Sequence, residues 1–168
     1  MTRIGLRLIL LVAITATIGC DRVTKHVAAT TLSEASSRSF LADTLRLEYV
    51  ENTGAFLGLG ANWPPRVRTA VFGVGNGLLL IAVAVVAMRS RWRRWSLVGV
   101  AIFVAGSASN LVDRITYGTV IDFMNVGIGP LRTGIFNVAD MAIMLGAGIF
   151  VLDGYRSGRR APPTASVD

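Results

Sequence analysis

The chain has 168 residues and a net charge of +7, yet only 16% of its residues are charged and 52% are hydrophobic. Soluble domains carry roughly 25% charged residues, so this composition excludes an ordinary soluble protein and indicates a membrane protein of one domain. A single cysteine and a single histidine leave no disulfide, no zinc site of several cysteines and no Ser-His pair, so we expect no metal and no cofactor.

Four apolar runs, at residues 4–20, 67–88, 95–112 and 135–152, predict membrane-spanning helices. A helix needs about 17–25 apolar residues to cross a bilayer, and the shorter runs reach this length with their flanking residues. We therefore predict an all-α membrane protein with a single membrane-embedded domain over residues 1–155 and a disordered tail over residues 156–168. The predicted helices lie at about 4–27, 67–88, 95–114 and 135–153.

Charge alternates between the polar segments. Residues 1–7, 89–94 and 156–168, counted with Asp153, carry the whole net charge of +7, whereas the remaining residues sum to zero. Because arginine and lysine concentrate in cytoplasmic loops, this pattern predicts that both termini are cytoplasmic. The loop "RSRWRR" is then an orientation signal, and we expect no nucleic-acid partner.

The segment between the first two predicted helices is expected to be extracytoplasmic and to contain β-structure. Apolar and charged residues alternate in "TLRLEYVEN" (residues 44–52), which predicts a strand, and Asn52-Thr53-Gly54 predicts a turn. The second outer segment, residues 115–134, is rich in glycine and is predicted to be a loop.

Polar residues gather at the predicted outer ends of the helices. They are Asp21 at the end of the first helix, Asn110, Asp113 and Arg114 at the end of the third, Asp122 in the loop, and Asn137 and Asp140 at the start of the fourth. Ionisable residues at a membrane boundary are costly and usually functional. Two structural alternatives stay open: Asn137 only caps its helix, and Asp113 with Arg114 only anchors one.

Asp122 has the surroundings of a reactive acid. It follows Val120-Ile121 and precedes Phe123, so desolvation should raise its pKa. A second carboxylate nearby would let the pair share a proton, take a proton from water and give one to a leaving amine. The alternatives are structural polar contacts or a proton or ion path.

Five motifs together resemble those of bacterial lipoprotein signal peptidases (signal peptidase II), in the family's order and spacing over residues 4–152. They are "DRVTK" at 21–25, "NTGAF" at 52–56, "GSASNLVDR" at 106–114, "VIDF" at 120–123 and "FNVAD" at 136–140.

The resemblance implies an aspartic endopeptidase of the bacterial inner membrane, with its active site on the outer side. Such an enzyme removes the signal peptide of a diacylglyceryl-modified prolipoprotein by cutting before the lipidated cysteine. The implied partners are these precursors, membrane lipids and globomycin-type inhibitors. Asp122 and Asp140 are the implied catalytic acids, and the loop at 52–56 is expected to fold over the bound peptide. The implied supporting residues are Asp21, Lys25, Asn52, Gly54, Asn110, Asp113, Arg114 and Asn137.

Three positions depart from the family pattern. Residue 22 is arginine where glutamine is usual, "GSASN" at 106–110 replaces "GALGN", and "TGIFN" at 133–137 lacks a proline before the phenylalanine. None of them alters a proposed catalytic acid, so we expect effects on packing rather than on activity.

Other functions stay open at this point. "TIGCD" at 17–21 is similar to a lipoprotein lipobox, but three further predicted spans follow it, so we expect Cys20 not to be lipidated. A proton-coupled carrier would use the same acids, but it predicts acids near the bilayer midplane. A noncatalytic homologue would bind lipoprotein precursors without cutting them.

Overall fold

A computed structural model describes residues 2–34, 37–55, 59–89 and 92–158. It is mostly helical, with a small antiparallel sheet. In chain order the elements are α1 (Arg3–Leu32), β1 (Arg38–Phe40), β2 (Leu45–Asn52), α2 (Pro65–Arg68), a π-helical segment (Thr69–Gly75), α3 (Asn76–Arg89), α4 (Arg94–Tyr117), β3 (Val120–Ile128), β4 (Leu131–Arg132) and α5 (Val138–Gly158).

Within the described residues, four helices are long and apolar enough to cross a membrane, as predicted. The second of them combines α2, the π-helical segment and α3 into one span. Large apolar side chains on these helices remain exposed: Leu11, Leu78 and Met144 each expose more than half of their surface. A surface of this kind suits lipid rather than water.

The first span is longer than predicted. Its expected end was near residue 27, with Asp21 at the outer end, but α1 continues to Leu32 and Asp21 lies inside the helix. The extension is stable because Ala28 and Leu32 recur at helical spacing, are buried, and pack against Phe123 of the sheet.

The sheet has the strand order β1-β2-β3-β4, and all its pairs are antiparallel. The predicted strand is present as β2, but the prediction of a loop over residues 115–134 is wrong, because β3 and β4 lie there. In the register of β2 on β3, Asn52 is opposite Val120 and Val50 is opposite Asp122, with an irregularity between Leu47 and Val50. This pairing brings the end of β2 next to Asp122.

The last two spans also differ from the predicted bounds. Helix α4 continues past residue 114 to Tyr117 and ends at Gly118, whose φ of 76° is favourable for glycine. Helix α5 begins at Val138 rather than 135, because Phe136 exchanges backbone hydrogen bonds with Met124 of β3. Residues 156–158, predicted as part of the tail, belong to α5; residues 159–168 lie outside the described residues.

Helices α4 and α5 approach each other closely along glycines. A Cβ atom on Gly99 would lie 2.7 Å from the carbonyl oxygen of Gly146, and one on Gly106 would lie 2.6 Å from that of Ala139. Because Gly106 is one turn before Asn110, this contact places Asn110 beside the first turn of α5.

Candidate active site

The fold brings together two carboxylates from distant parts of the chain. Asp122 lies on β3 and Asp140 lies in the first turn of α5, and both are buried, at 2% and 5% exposure. The side chain of Asn137 contacts both residues. Its Nδ2 donates to Asp122 Oδ1 at 2.6 Å, and its Oδ1 accepts the backbone N–H of Asp140 at 3.0 Å.

Asn137 therefore caps α5 and joins the two acids at the same time. Asp140 Oδ2 accepts the backbone N–H of Asn137 at 3.2 Å, which completes a reciprocal capping box. The positive end of the helix dipole favours a carboxylate at this position. Capping is thus not the only role of Asn137, because its side chain also bonds to Asp122.

Two further amides orient the carboxylates. Asn52 Nδ2 donates to Asp122 Oδ2 at 2.7 Å, and Asn110 Nδ2 donates to Asp140 Oδ1 at 2.9 Å. Together with the bonds from Asn137, each of the four carboxylate oxygens accepts one N–H. Three asparagines hold the site: Asn52 at the end of β2, Asn110 on α4 and Asn137 directly before α5.

A buried ammonium group lies behind this site. Lys25 Nζ is 2.8 Å from Asp21 Oδ2, 2.7 Å from Asp113 Oδ2 and 2.7 Å from Asn110 Oδ1. Lys25 therefore forms an ion pair with Asp21, four residues earlier on α1, and a second one with Asp113 of α4. Because the oxygen of the Asn110 amide faces Lys25, its nitrogen faces Asp140.

Asp21 extends this cluster to α5. Its Oδ1 accepts the backbone N–H of Ala139 at 2.9 Å, which is one of the N–H groups that a helix start leaves unpaired. Its Oδ2 also accepts the Ser109 hydroxyl at 2.7 Å. Arg22 completes the cluster: its guanidinium lies 2.6 Å from Asp113 Oδ1 and donates to the carbonyl of Ser109 at 2.8 Å.

Arg114 supports the loop after β2 instead of pairing with Asp113. Its Nη2 donates to the Gly54 carbonyl at 2.6 Å, and Asn52 Oδ1 accepts the Gly54 N–H at 2.8 Å, which forms the predicted turn. The Nε of Arg114 is buried and has no hydrogen-bond partner among the described residues. Phe56, the last residue of the "NTGAF" motif, lies outside the described residues.

The two acids open on different cavities. Asp140 lines a cavity of about 460 Å³ together with Asn110, Arg114 and apolar residues of the second span; we call this cavity the apolar groove. Asp122 lines a smaller cavity of about 190 Å³ together with Asn52 and other residues at the end of β2. The acids are thus reachable from two sides, one of which faces the spans.

Burial raises the pKa of Asp122 to about 6. The hydrogen bonds from Asn52 and Asn137 oppose this rise because they favour the charged form, whereas the negative charge of Asp140 adds to it. A carboxyl group with this pKa can either hold or release a proton near neutral pH, which is the property required of a general acid or base.

The structure therefore brings all ten residues predicted for the site into one connected network. Sequence reasoning missed three contributors: Ser109, the guanidinium of Arg22 and the backbone N–H of Ala139. Ser109 and Arg22 both stand at positions that depart from the family pattern, and in the structure they bond to each other. Ala139 acts through its main chain, so its side-chain identity carries no signal of this role.

The raised pKa of Asp122 predicts a pH-dependent effect of removing its charge. The native protein binds this proton more tightly than the unfolded chain does, so ionisation of Asp122 lowers stability as pH rises from about 4 to about 6. We expect the Tm of Asp122→Asn, relative to the parent, to be higher at about pH 7.5 than at about pH 4. Thermal unfolding in detergent measures this difference.

The matched control is Glu34→Gln, which removes an exposed carboxyl outside the site. Its Tm relative to the parent should change less between the two pH values. An equal difference for Asp122→Asn at both pH values would contradict the raised pKa.

Comparison with known proteins identifies the family. Residues 13–156 match the profile of the family described as "Signal peptidase (SPase) II". The chain is 34% identical over 138 residues to a lipoprotein signal peptidase of Desulforapulum autotrophicum, covering 82% of this chain and 85% of that one. It is 33% identical over 147 residues to a lipoprotein signal peptidase of Syntrophomonas wolfei, covering 84% and 91%.

The fold is also similar to solved structures. One, described as a bacterial membrane enzyme, has a TM-score of 0.79 at 21% identity and covers 94% of each chain. A second structure of the same description has a TM-score of 0.72 at 22% identity. The four spans and the sheet agree with this likeness, and the matched profile extends over most of the chain. The chain belongs to the signal peptidase II family and is a multi-pass membrane protease.

Proposed function

We propose that the chain is an aspartic endopeptidase that removes signal peptides from diacylglyceryl-modified prolipoproteins by cutting before the lipidated cysteine. The observation that carries this proposal is the pair of hydrogen-bonded contacts from Asn137 to Asp122 and to Asp140. Family membership supports the substrate class, and the geometry supports the choice of Asp122 and Asp140 as the acids.

The two carboxyl groups divide the proton transfers of hydrolysis. With one proton on the pair, the ionised carboxylate takes a proton from a water molecule, whose oxygen attacks the scissile carbonyl carbon. The protonated group gives its proton to the substrate, and the amine leaves with a proton when the C–N bond breaks. The pKa of about 6 at Asp122 supports this sharing near neutral pH.

The apolar groove supports a substrate that arrives through the membrane. Val71, Phe72 and Leu79 of the second span line it, and Ile143 of α5 lies opposite, so apolar side chains or acyl chains can enter beside Asp140. We propose that the loop held by Arg114 at Gly54 covers the bound peptide. Membrane lipids and globomycin-type peptides are then further partners of this groove.

A carrier role has less support. A carrier is expected to place its acids near the middle of the bilayer. Here Asp122 lies in the sheet and Asp140 lies in the first turn of α5, so neither acid is midway along a span.

The cleavage of a lipidated precursor peptide by the purified protein in detergent tests the proposal. We expect Asp122→Asn and Asp140→Asn each to lower the rate by about 10²–10⁴-fold, the range typical of a lost general acid or base. A globomycin-type peptide should inhibit the parent. The matched control is Asp153→Asn, because Asp153 is also buried in α5 but binds Ser96, far along the helix from Asp140.

Cleavage that survives both substitutions would refute the pair of acids. Specific binding of the precursor without any cleavage by the parent would favour the noncatalytic homologue instead.

We also propose that the protein lies in the bacterial inner membrane with both termini in the cytoplasm and the acids on the outer side. The ends of α3 and α5 carry Arg89 and Arg156, and α4 begins at Arg94; these lie at the ends of the spans away from Asp140. Arginine at these ends favours a cytoplasmic location.

Cysteine labelling in spheroplasts tests this orientation. In a Cys20→Ser background, Glu34→Cys should react with a membrane-impermeant maleimide added outside. Arg156→Cys should react only after the membrane is permeabilised. Both positions are exposed. The opposite pattern would contradict the proposed orientation.

A further inference from the structure

The apolar groove contains two polar side chains that the network around the acids does not use. They are Asn76, the first residue of α3, and Ser107 on α4. Ser107 is 5% exposed and Asn76 is half-buried. Neither side chain has a hydrogen-bond partner in the part of the chain that the structure describes.

Such groups are unusual within a membrane span. The bilayer interior offers no water, so a polar group there normally bonds to the protein. Buried or half-buried hydroxyls near the acids bond in this way: Thr24 donates to the carbonyl of Cys20, and Ser109 donates to Asp21. Ser107 and Asn76 instead border an open cavity, which indicates that their partner comes from the ligand.

The position of Ser107 in the groove is about one helical turn from the residues that hold Asp140. Ser107 lies three residues before Asn110, so both lie on one face of α4, and Asn110 bonds to Asp140. Ile143 lies three residues after Asp140 on α5 and also lines the groove. Ser107 is therefore about one helical turn deeper in the spans than the reacting groups.

We propose that Asn76 and Ser107 bind the main chain of the signal segment just before the scissile bond. This inference rests on the proposed function. The last carbonyl groups of a signal helix have no partner within that helix. A serine hydroxyl donates one hydrogen bond, and an asparagine amide both donates and accepts, so the pair can satisfy main-chain groups without reading side chains.

The departure "GSASN" at 106–110 fits this role. Alanine is usual at the second position of this motif, where Ser107 stands here, and an alanine would leave that side of the groove without a hydroxyl. The binding contribution of Ser107 is then a property of this chain, added to the site that the family shares.

Steady-state kinetics with the lipidated precursor test the proposal on Ser107→Ala and Asn76→Leu. A neutral hydrogen bond corresponds to about fivefold in affinity, so each variant should raise KM by about fivefold and leave kcat unchanged. Because neither side chain bonds to the described protein, the Tm should stay equal to that of the parent or rise. The control Thr69→Val removes an exposed hydroxyl from the same span, outside the groove, and should leave KM unchanged.

An unchanged KM in both variants would overturn the proposal. A lower Tm with a matching loss of kcat would also overturn it, because that result indicates a structural role. If the parent binds the precursor but does not cleave it, the proposed function fails separately. In that case the Kd of the same precursor is measured for the parent and for each variant. A Kd about fivefold higher in each variant supports the subsite, and Kd values equal to that of the parent overturn it.

Discussion

One residue, Asn137, bonds to both carboxylates: its side-chain amide donates to Asp122, and its backbone N–H donates to Asp140. It can do so because Phe136 pairs with Met124, which holds the residue before the helix against the strand that carries Asp122. The same amide accepts the N–H of Asp140 and so starts α5. The cap of α5 and the placement of the two acids therefore depend on the same residue.

Charge balance behind the acids explains why so many ionised groups can be buried together. Lys25 and Arg22 face Asp21 and Asp113, so two positive charges meet two negative ones. Removal of one partner from a buried pair typically costs about 3–5 kcal/mol. The ion pairs of this cluster are made among its own four charges, and the hydrogen bonds that Asp122 and Asp140 accept from the described residues come from amide groups.

This arrangement leaves the acids titratable. A lysine or arginine bonded directly to Asp122 would lower its pKa, whereas here burial is the larger effect and raises it to about 6. Lys25 still influences Asp140 through Asn110, since it turns the amide nitrogen toward the carboxylate. The supporting residues thus orient the acids without neutralising them.

The sequence was sufficient for those parts of the structure that depend on local pattern. Hydropathy predicted the four spans, alternation predicted β2, and the motifs predicted every residue of the network except Arg22, Ser109 and Ala139. The strand β3 was missed because its hydrogen-bonding partner is about 70 residues away and the glycines of residues 115–134 favour a loop in isolation. The end of α1 was missed because Ala28 and Leu32 are stabilised by packing on the sheet.

The remaining features of the site could not be predicted because they depend on contacts between residues far apart in the sequence. Arg22 and Ser109 are 87 residues apart, and each alone looks like a minor departure from a motif. Likewise, only the folded structure shows that Ser107 borders the apolar groove without a hydrogen-bond partner among the described residues. Patterns along one chain do not encode which such residues meet.

The claim that Asp122 and Asp140 act as one unit is tested most directly by a double-variant cycle of cleavage rates. The single-turnover rate on a lipidated precursor is measured for Asp122→Asn, Asp140→Asn and the variant carrying both substitutions. If the pair is a single catalytic unit, the double variant should be about as slow as each single variant, because the effects of such groups are strongly non-additive. A double variant slowed by the product of the two single effects would show that the carboxylates act independently and would contradict the shared site.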